Sequence, residues 1–485
     1  MAVPTDIKYS VTSIAVTAVA LLTLWRVLWL LADGTTLSTD EAQYWFWGQE
    51  FAFGAYSKPP LIGWLIRAAS EVAGQSVFGV RVAAPLLHGA TALIVLVLAR
   101  RLTTPAVAAF AALSYLTMPA VALGSVLITT DTPLLFFAAA ALLFQHRLAA
   151  SGKGWLIVAL GLAVGLGFMA KYAMIYVVLG MIAAAVASVD WRIPWRAALP
   201  AALIAFAVLL PNLLWIASFR FVTFQHIASD AEWQGVRIYP MQALRYLAEQ
   251  LAVMGPVLFL AWLAGLVRLR RMPRPHIALY LVSVLPLLVV LVQALTSRAL
   301  ANWGVTFLLA GAIAAAVVLQ KNRILMGLSL VIGLSVSLAL PMVMAFGTGW
   351  RMPDGRLFLR RYLGQPDVIE WAVAEAVTGG ATAIVAEDRD LLSGLGWAAR
   401  SAGIAVNAPP GDGPPRHHWD LLFRLDPEKA RGPVYVLAEA GTALANICPN
   451  ATDQIRTAGP GFAEGRRFAL RRIDDTTCLK ETPDE

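Results

Sequence analysis

Long apolar runs recur along the first 350 positions of the 485-residue chain, and they constrain its fold more than any other feature. About 20 consecutive apolar residues allow a helix to cross the hydrocarbon core of a bilayer. The first run is interpreted as an anchor, because no small-residue cleavage site follows it. Because 59% of the residues are hydrophobic and 14% are charged, the sequence predicts a polytopic α-helical membrane protein with about eleven transmembrane helices. The predicted spans are 9–32, 79–99, 104–123, 131–148, 155–170, 173–189, 197–217, 247–267, 276–296, 303–319 and 323–347.

Basic residues in the connections between these runs predict the orientation of the helices. They occur in alternate connections, and loops rich in Lys and Arg stay on the cytoplasmic side of a membrane. The other connections, including loops 33–78 and 218–246, are therefore expected to face outward. An odd number of spans places the tail on the same outer side. The basic connections contain Arg100 and Arg101, Lys153, Arg192 and Arg196, Arg268, Arg270, Arg271 and Arg274, and Lys321 and Arg323.

The distribution of charge argues against nucleic-acid binding. The formal net charge is +8, and the basic residues are spread over short loops rather than gathered on one face. We therefore expect membrane lipids, and no nucleic acid, among the partners of this chain.

The composition changes after Trp350, where the apolar runs shorten to the length of strands. Segments 382–388, 433–439 and 466–473 have the pattern of strands, and 366–377 has the pattern of a helix. A tail of this length is sufficient for a small α/β domain with its own core.

These patterns predict a transmembrane domain at 1–349 and a C-terminal soluble α/β domain at 350–485. Cys448 and Cys478 both lie in the tail, where a disulfide is compatible with an oxidising compartment. Two reduced, buried cysteines are the alternative.

His417, His418 and Asp420 resemble metal ligands in type. Zinc normally takes three or four ligands, and no further ligand is evident nearby in the sequence. We therefore expect no metal at this position.

Acidic and basic residues gather on the outer side of the predicted topology. They come from separate connections, and a set of acids and bases at one membrane boundary is what an interfacial active site requires. Ion pathways, in contrast, usually place their charges near the middle of the bilayer. The pattern suggests a reaction between a group carried by lipid and a group outside. The residues are Asp40, Glu41, Lys58, Asp131, Lys171, His226 and Arg298.

The segment from Ser38 to Glu41 matches a capping box at the start of a helix. The box accounts for Ser38 and Glu41 but leaves Asp40 without a structural role. We therefore expect Asp40 to act as a general base, and Glu41 is either a cap or a second catalytic acid. The aromatic helix that follows, which contains Tyr44, is expected to lie in the membrane interface.

The three outer cations suit phosphate groups. Lys58 precedes two prolines that hold its backbone extended, and Arg298 offers a guanidinium fork. Lys171 lies between two apolar runs with almost no loop. Each could instead extend towards lipid headgroups, and Asp131 could simply cap the helix that it begins.

Several short motifs carry a resemblance to a known family: DEAQYW, SKPPLIGWLIR, TTDTPL, AKY, PNLLW followed by FVTFQH, and SRALANW. Together they resemble the family 39 glycosyltransferases, which include protein O-mannosyltransferases and the bacterial aminoarabinose transferase that acts on lipid A. The resemblance covers roughly residues 10–350 and implies a C-type glycosyltransferase fold in a bacterial inner membrane. The chain departs from the pattern at Ser57, where the aminoarabinose transferase has a glutamate.

This resemblance implies that a sugar is transferred from a polyprenyl-phosphate donor to an envelope acceptor on the periplasmic face, with inversion. The acceptor would be lipid A, the lipopolysaccharide core or another glycan. Phosphate is a competent leaving group, so no cofactor is expected, and a divalent metal is left open. The resemblance implies a catalytic acid at Asp40, a second acidic position at Asp131, and donor-phosphate contacts at Lys58, Lys171 and Arg298. Glu41 is a further candidate catalytic residue from its place beside Asp40, and the candidate substrate contacts are Tyr44, Tyr56, Tyr172, His226 and Asn302.

Other functions remain open at this point. The same chemistry could glycosylate a protein hydroxyl. A lipid-linked sugar transporter or flippase would predict inverted repeats and charges at mid-membrane depth, and the sequence has no clear repeat. A scaffold that only presents the tail would not need two acids and three bases on one side.

Overall fold

The computed structural model describes residues 5–230, 238–448 and 452–481. The helices are α1 (Thr5–Leu30), α2 (Thr39–Trp47), α3 (Leu61–Ala73), α4 (Val77–Arg81), α5 (Ala83–Leu102), α6 (Pro105–Thr117), α7 (Pro119–Gly124), α8 (Asp131–Ser151), α9 (Trp155–Ala170), α10 (Met174–Ala187), α11 (Trp195–Ser218), α12 (Val222–Asp230), α13 (Pro240–Val253), α14 (Pro256–Val267), α15 (Arg274–Thr296), α16 (Phe307–Leu319), α17 (Arg323–Phe346), α18 (Pro366–Thr378), α19 (Arg389–Ala398) and α20 (His418–Leu422). The strands are β1 (Ala383–Val385), β2 (Ala405–Asn407), β3 (Val434–Glu439), β4 (Thr452–Thr457) and β5 (Arg467–Ile473).

Apolar helices occupy every run that was predicted to span the membrane. Six are long and apolar enough to cross a bilayer, and α6, α9, α10, α14 and α16 are shorter apolar helices. The predicted polytopic helical membrane fold is therefore confirmed. The six long candidates are Ser10–Leu30, Val77–Leu102, Asp131–Ser151, Trp195–Ser218, Arg274–Thr296 and Arg323–Gly349.

The predicted spans 104–123 and 247–267 are each divided between two helices, so neither is a single continuous helix. The first is divided into α6 and α7, and the second is divided between α13 and α14. Proline has no N–H and fixes φ, so Pro119 and Pro256 fit at the start of α7 and α14 but do not continue the preceding helix. Gly255 between α13 and α14 has a φ of 93°, which residues with side chains rarely adopt.

Small residues let α9 and α11 approach closely. A Cβ at Gly161 would lie 2.6 Å from the carbonyl oxygen of Ala201, and one at Gly165 would lie 2.7 Å from the side chain of Val208. Helices in membranes commonly pack through such small residues. This contact holds α9 beside α11, and Lys171 is the C-cap residue of α9.

The five strands form one sheet in the order β2-β1-β3-β5-β4. β1 pairs in parallel with β2 and β3, and β5 is antiparallel to β3 and β4. The strands predicted at 382–388, 433–439 and 466–473 are present as β1, β3 and β5, and the helix predicted at 366–377 is α18. β2 and β4 were not predicted, because they are edge strands and lack the continuous apolar pattern of buried strands.

A disulfide joins Cys448 to Cys478, whose Cα atoms are 5.5 Å apart. It links the segment after β3 to the segment after β5. The alternative of two reduced cysteines is not observed.

The tail packs on the aromatic helix α2. The ring of Phe46 stacks on Trp419 with 4.7 Å between centroids, and Trp45 meets Trp397 edge to face at 5.0 Å. These contacts place α19 and α20 over the segment that contains Asp40.

Candidate active site

A capping box starts α2, as the sequence predicted. The Ser38 hydroxyl accepts a hydrogen bond from the Glu41 backbone N–H at 3.5 Å, and the Glu41 carboxylate accepts one from the Ser38 N–H at 3.0 Å. The box does not use the Asp40 side chain, which is exposed.

The Glu41 carboxylate is also part of a buried ion network. Arg81 donates to both of its oxygens, at 2.8 and 2.7 Å, and pairs with Asp33 at 2.7 Å. The Ile128 backbone N–H donates to the same carboxylate at 3.1 Å. Glu41 is 1% exposed and Arg81 is fully buried. The contacts of Glu41 therefore favour a cap and structural anchor over a reacting acid.

Asp40 lines a cavity of about 1160 Å³ between the helices and the tail. Its side chain is 55% exposed, and its Oδ1 accepts a hydrogen bond from Nη1 of Arg389 at 3.0 Å. The adjacent Tyr44 is buried beneath it, and burial, followed by the nearby Asp40 carboxylate, raises the pKa of Tyr44 well above its usual value. The Tyr44 hydroxyl is therefore neutral at ordinary pH.

Asp131 lines the same cavity and joins two other predicted residues. Its Oδ1 accepts a hydrogen bond from Lys171 Nζ at 2.6 Å, and its Oδ2 accepts one from Asn302 Nδ2 at 2.9 Å. Asp131 is the first residue of α8, and Thr130 holds the N-cap position. The alternative that Asp131 only caps α8 is therefore not observed, and its carboxylate accepts hydrogen bonds from Lys171 and Asn302.

A second cavity, of about 720 Å³, adjoins the first at Asn302 and Arg361. Its lining includes Arg298, Arg245 and Glu249. Arg298 is exposed on this wall, so the structure places it next to the Asp131 cluster rather than within it.

Tyr56 connects the segment before Lys58 to the tail. Its hydroxyl donates to the Pro415 carbonyl at 2.9 Å, and its ring lies 4.9 Å from that of His226. Lys58 is half-buried in the same segment, and its carbonyl accepts a hydrogen bond from the Ala55 N–H at 3.2 Å. Tyr56, Lys58 and His226 are not among the described residues that line the two cavities.

The Tyr172 hydroxyl donates to Asn212 Oδ1 at 2.7 Å, and Asn212 donates to the Phe53 carbonyl at 2.7 Å. These two bonds attach the end of α9 to α11 and to loop 33–78. The contacts favour a structural role for Tyr172, one residue from Lys171.

Four arginines of the tail line the larger cavity and were not predicted as site residues. Arg360 donates to the Phe462 carbonyl at 2.9 Å, and Arg356 pairs with Asp354. Arg361 lines both cavities. A basic pair at 360–361 is visible in the sequence, but its proximity to Asp40 depends on how the tail folds back. The four are Arg356, Arg360, Arg361 and Arg389.

The histidines of the tail are engaged by neighbouring backbone. His417 Nδ1 accepts from the Asp420 N–H at 3.2 Å, and its Nε2 lies 2.8 Å from the Glu387 carbonyl. His418 Nδ1 accepts from the Tyr56 N–H at 3.4 Å. Within the described ranges, no group of three metal-ligating side chains is found.

Protonation of His418 should weaken the attachment of the tail. Burial, and next His417, lower the pKa of His418 from the ordinary 6.5 to about 3. As the pH falls, His418 is protonated in the unfolded chain at a higher pH than in the folded protein. The stability that neutral, buried His418 gives the fold is therefore complete above about pH 6.5 and is lost progressively as the pH falls towards 3. We expect the thermal midpoint in detergent to fall between about pH 7.5 and pH 5, and to fall less in His418→Gln.

His276→Gln, which lies outside the tail on α15, is the matched control and should keep the wild-type dependence on pH. An equal fall in wild type and His418→Gln would contradict this role for His418.

Comparison with known proteins gives matches that cover most of the chain. The family model described as dolichyl-phosphate-mannose-protein mannosyltransferase matches residues 57–215. Over 462 residues, covering 94% of this chain and 97% of the relative, the sequence is 35% identical to the lipid A galacturonosyltransferase RgtD of Rhizobium johnstonii.

Two crystal structures of ArnT from Cupriavidus metallidurans have a similar fold. The apo structure matches with a TM-score of 0.67 and 14% identity, covering 97% of this chain and 99% of ArnT. The structure bound to undecaprenyl phosphate matches with a TM-score of 0.66 and 15% identity, covering 94% and 97%. At these identities, the similarity concerns the fold.

Proposed function

The chain belongs to family 39 of the glycosyltransferases, and from this premise we propose that it transfers a sugar from a polyprenyl-phosphate donor to lipid A. It is an enzyme with a C-type glycosyltransferase fold in a bacterial inner membrane. One observation carries the proposal for the site: Asp40 and the Asp131–Lys171 pair line or border one cavity of about 1160 Å³ beneath the tail. That cavity has room for a sugar and for the reacting end of an acceptor.

We propose that all eleven apolar helices cross the membrane and that loops 33–78 and 218–246 face the periplasm. The domains are then 1–349 in the membrane and 350–485 as a soluble periplasmic domain. Basic residues in alternate connections support this orientation. The disulfide between Cys448 and Cys478 is in keeping with an oxidising compartment.

Asp40 is the proposed general base. It accepts the proton of the acceptor hydroxyl while that oxygen bonds to the anomeric carbon of the sugar. The bond from this carbon to the phosphate oxygen breaks on the opposite face, and the electron pair leaves with polyprenyl phosphate. The configuration at the anomeric carbon is therefore inverted.

Lys171 is the proposed phosphate contact at the centre of the site. Asp131 holds its ammonium at 2.6 Å, and the ammonium retains two further N–H donors for the departing phosphate. We accordingly assign Asp131 to positioning Lys171, with Asn302 on its other oxygen. Arg298 supplies a further positive charge on the adjoining wall.

The sugar that is transferred is proposed to be a hexuronic acid, which carries a carboxylate. The relative RgtD is named as a galacturonosyltransferase, and four arginines line the cavity here. Arginine pairs with carboxylates through two parallel hydrogen bonds.

The proposal is tested by supplying purified protein in lipid with a polyprenyl-phosphate hexuronic acid and lipid A. Labelled lipid A and free polyprenyl phosphate should appear in equal amounts. Movement of the intact donor across the bilayer without cleavage would instead indicate a flippase. Cleavage with label on protein would indicate a protein acceptor.

Lys58 is not among the described residues that line the two cavities, so its proposed contact with the donor phosphate rests on its sequence motif. Replacing it by Ala should weaken the binding of polyprenyl phosphate by about 10- to 100-fold, because a hydrogen bond to a charged group contributes about 1.5–3 kcal/mol. Binding is measured by titrating polyprenyl phosphate onto the purified protein. Lys153→Ala, an exposed lysine in a predicted cytoplasmic connection, should bind as the wild type does. Unchanged binding in Lys58→Ala would assign Lys58 to lipid headgroups.

A further inference from the structure

Arg389 is the tail residue that contacts the proposed general base. It is the first residue of α19, and its Nη1 donates to Asp40 Oδ1 at 3.0 Å. Within the described part of the chain, the Arg389 guanidinium donates one hydrogen bond to the protein, and it is the bond to Asp40. A guanidinium has five N–H donors in a planar fork, so most of them are available to a ligand in the cavity.

The hydrogen bond between Asp40 and Arg389 can be replaced by a bond from Arg389 to a ligand. The two side chains are 55% and 44% exposed, and one hydrogen bond joins them. Exposed ion pairs of this kind contribute little stability. A ligand carboxylate that takes two parallel hydrogen bonds from the fork competes favourably with the single bond to Asp40.

The other arginines of the larger cavity are less suited to this exchange. Arg360 donates to the Phe462 carbonyl, and its guanidinium lies 5.3 Å over the Phe462 ring. Arg356 pairs with Asp354, its neighbour two positions earlier. Arg361 lies where the two cavities meet, whereas the arginine bonded to Asp40 in the described part of the chain is Arg389.

The chemistry of a hexuronic acid fits the position of Arg389. Its carboxylate is bonded to C5, and C5 is joined to the anomeric carbon through the ring oxygen. If Asp40 takes the proton of the attacking hydroxyl, the anomeric carbon lies beside Asp40. The C5 carboxylate is then within reach of the arginine that is already bonded to Asp40.

We propose that Arg389 binds the carboxylate of the transferred sugar and so selects an acidic sugar over a neutral one, an inference that rests on the proposed function. Binding the sugar also withdraws Arg389 from Asp40 and leaves both Asp40 oxygens open to the acceptor hydroxyl. The tail thus contributes a specificity-determining residue to a site whose proposed base and phosphate contacts lie in the membrane domain.

The experiment compares two donors that differ at C6, polyprenyl-phosphate galacturonic acid and polyprenyl-phosphate galactose. Wild type should prefer the acidic donor. Arg389→Gln should lower kcat/KM for the acidic donor by about 10- to 100-fold, the loss expected for a hydrogen bond to a charged group, and should leave the neutral donor within about threefold. Arg389→Lys, which keeps the charge but not the fork, should be intermediate.

Arg400→Gln is the matched control. Arg400 follows the C-terminal end of α19, stacks over Trp397 at 4.0 Å and is not among the described residues that line the cavity with Asp40. It should retain the wild-type ratio between the two donors. Thermal unfolding in detergent checks that each variant is folded.

An equal loss for both donors in Arg389→Gln would overturn the proposal, since Arg389 would then act only by holding Asp40. Unchanged kinetics would overturn it as well. If folded wild type transfers neither sugar, the proposed function itself fails. If the wild type turns over the acidic donor, the proposed glycosyltransferase function stands, and the Arg389 variants then test only the role of Arg389.

Discussion

Replacing Asp40 by Asn should lower sugar transfer by about 10²- to 10⁴-fold, the usual contribution of a general base. Asn has the same shape as Asp, and its oxygen can still accept a hydrogen bond from Arg389. It cannot take the proton of the acceptor hydroxyl at neutral pH. The release of polyprenyl phosphate measures the loss, and thermal unfolding in detergent should be nearly unchanged because the Asp40 side chain is 55% exposed.

Asp474→Asn is the matched control for this substitution. Asp474 also forms an exposed pair with an arginine, Arg472, at 3.1 Å, but it lies outside the cavity. It should retain wild-type turnover. Full activity in Asp40→Asn would remove Asp40 from the mechanism and with it the proposed route of the proton.

The largest effect on stability is expected for Arg81→Ala. Arg81 is fully buried, and its removal leaves the carboxylates of Glu41 and Asp33 buried without their cation. Breaking a buried pair from one side costs about 3–5 kcal/mol, which is a large part of the usual 5–15 kcal/mol of folding stability. The thermal midpoint in detergent and the yield of folded protein measure the effect.

Arg67→Ala provides the comparison, because the Arg67–Glu71 pair is exposed and the two residues lie one helical turn apart. Its loss should be about 1 kcal/mol or less, because exposed pairs contribute little and the further hydrogen bonds of Arg67 to Gln49 are long, at 3.2 and 3.4 Å. Combining Arg81→Met with Glu41→Gln and Asp33→Asn should recover much of the stability, since no charge is then left buried. A loss in Arg81→Ala no greater than in Arg67→Ala would show that this network does not anchor α2.

The apolar runs were readable from the sequence because spanning a bilayer requires a local, continuous property of the chain. Charge in the connections likewise predicts orientation without reference to distant contacts. The breaks before Pro119 and Pro256 were also visible as prolines, but membrane helices often contain proline, so position alone did not identify them as ends. Pro286, for instance, lies inside the continuous helix α15.

The residues of the site were predictable where local chemistry singled them out. Asp40 follows from a capping box that leaves it unused, and Lys171 follows from a charge between two apolar runs. Arg81 could not be identified in this way, because a basic residue next to an apolar run is typical of the end of a helix. Its two carboxylate partners are separated from it by 40 and 48 positions.

The sequence by itself determined that the chain folds as membrane helices followed by an α/β tail, and it predicted that an acid and several cations lie at one membrane boundary. Hydrophobic length and local charge suffice for this, since both act through the surrounding lipid and water. Tertiary structure alone decided that Asp131 holds Lys171 and that Arg389 reaches Asp40 across 349 positions. Such pairs depend on how helices pack and on where the tail rests, and contacts between distant segments leave no periodic trace in the sequence.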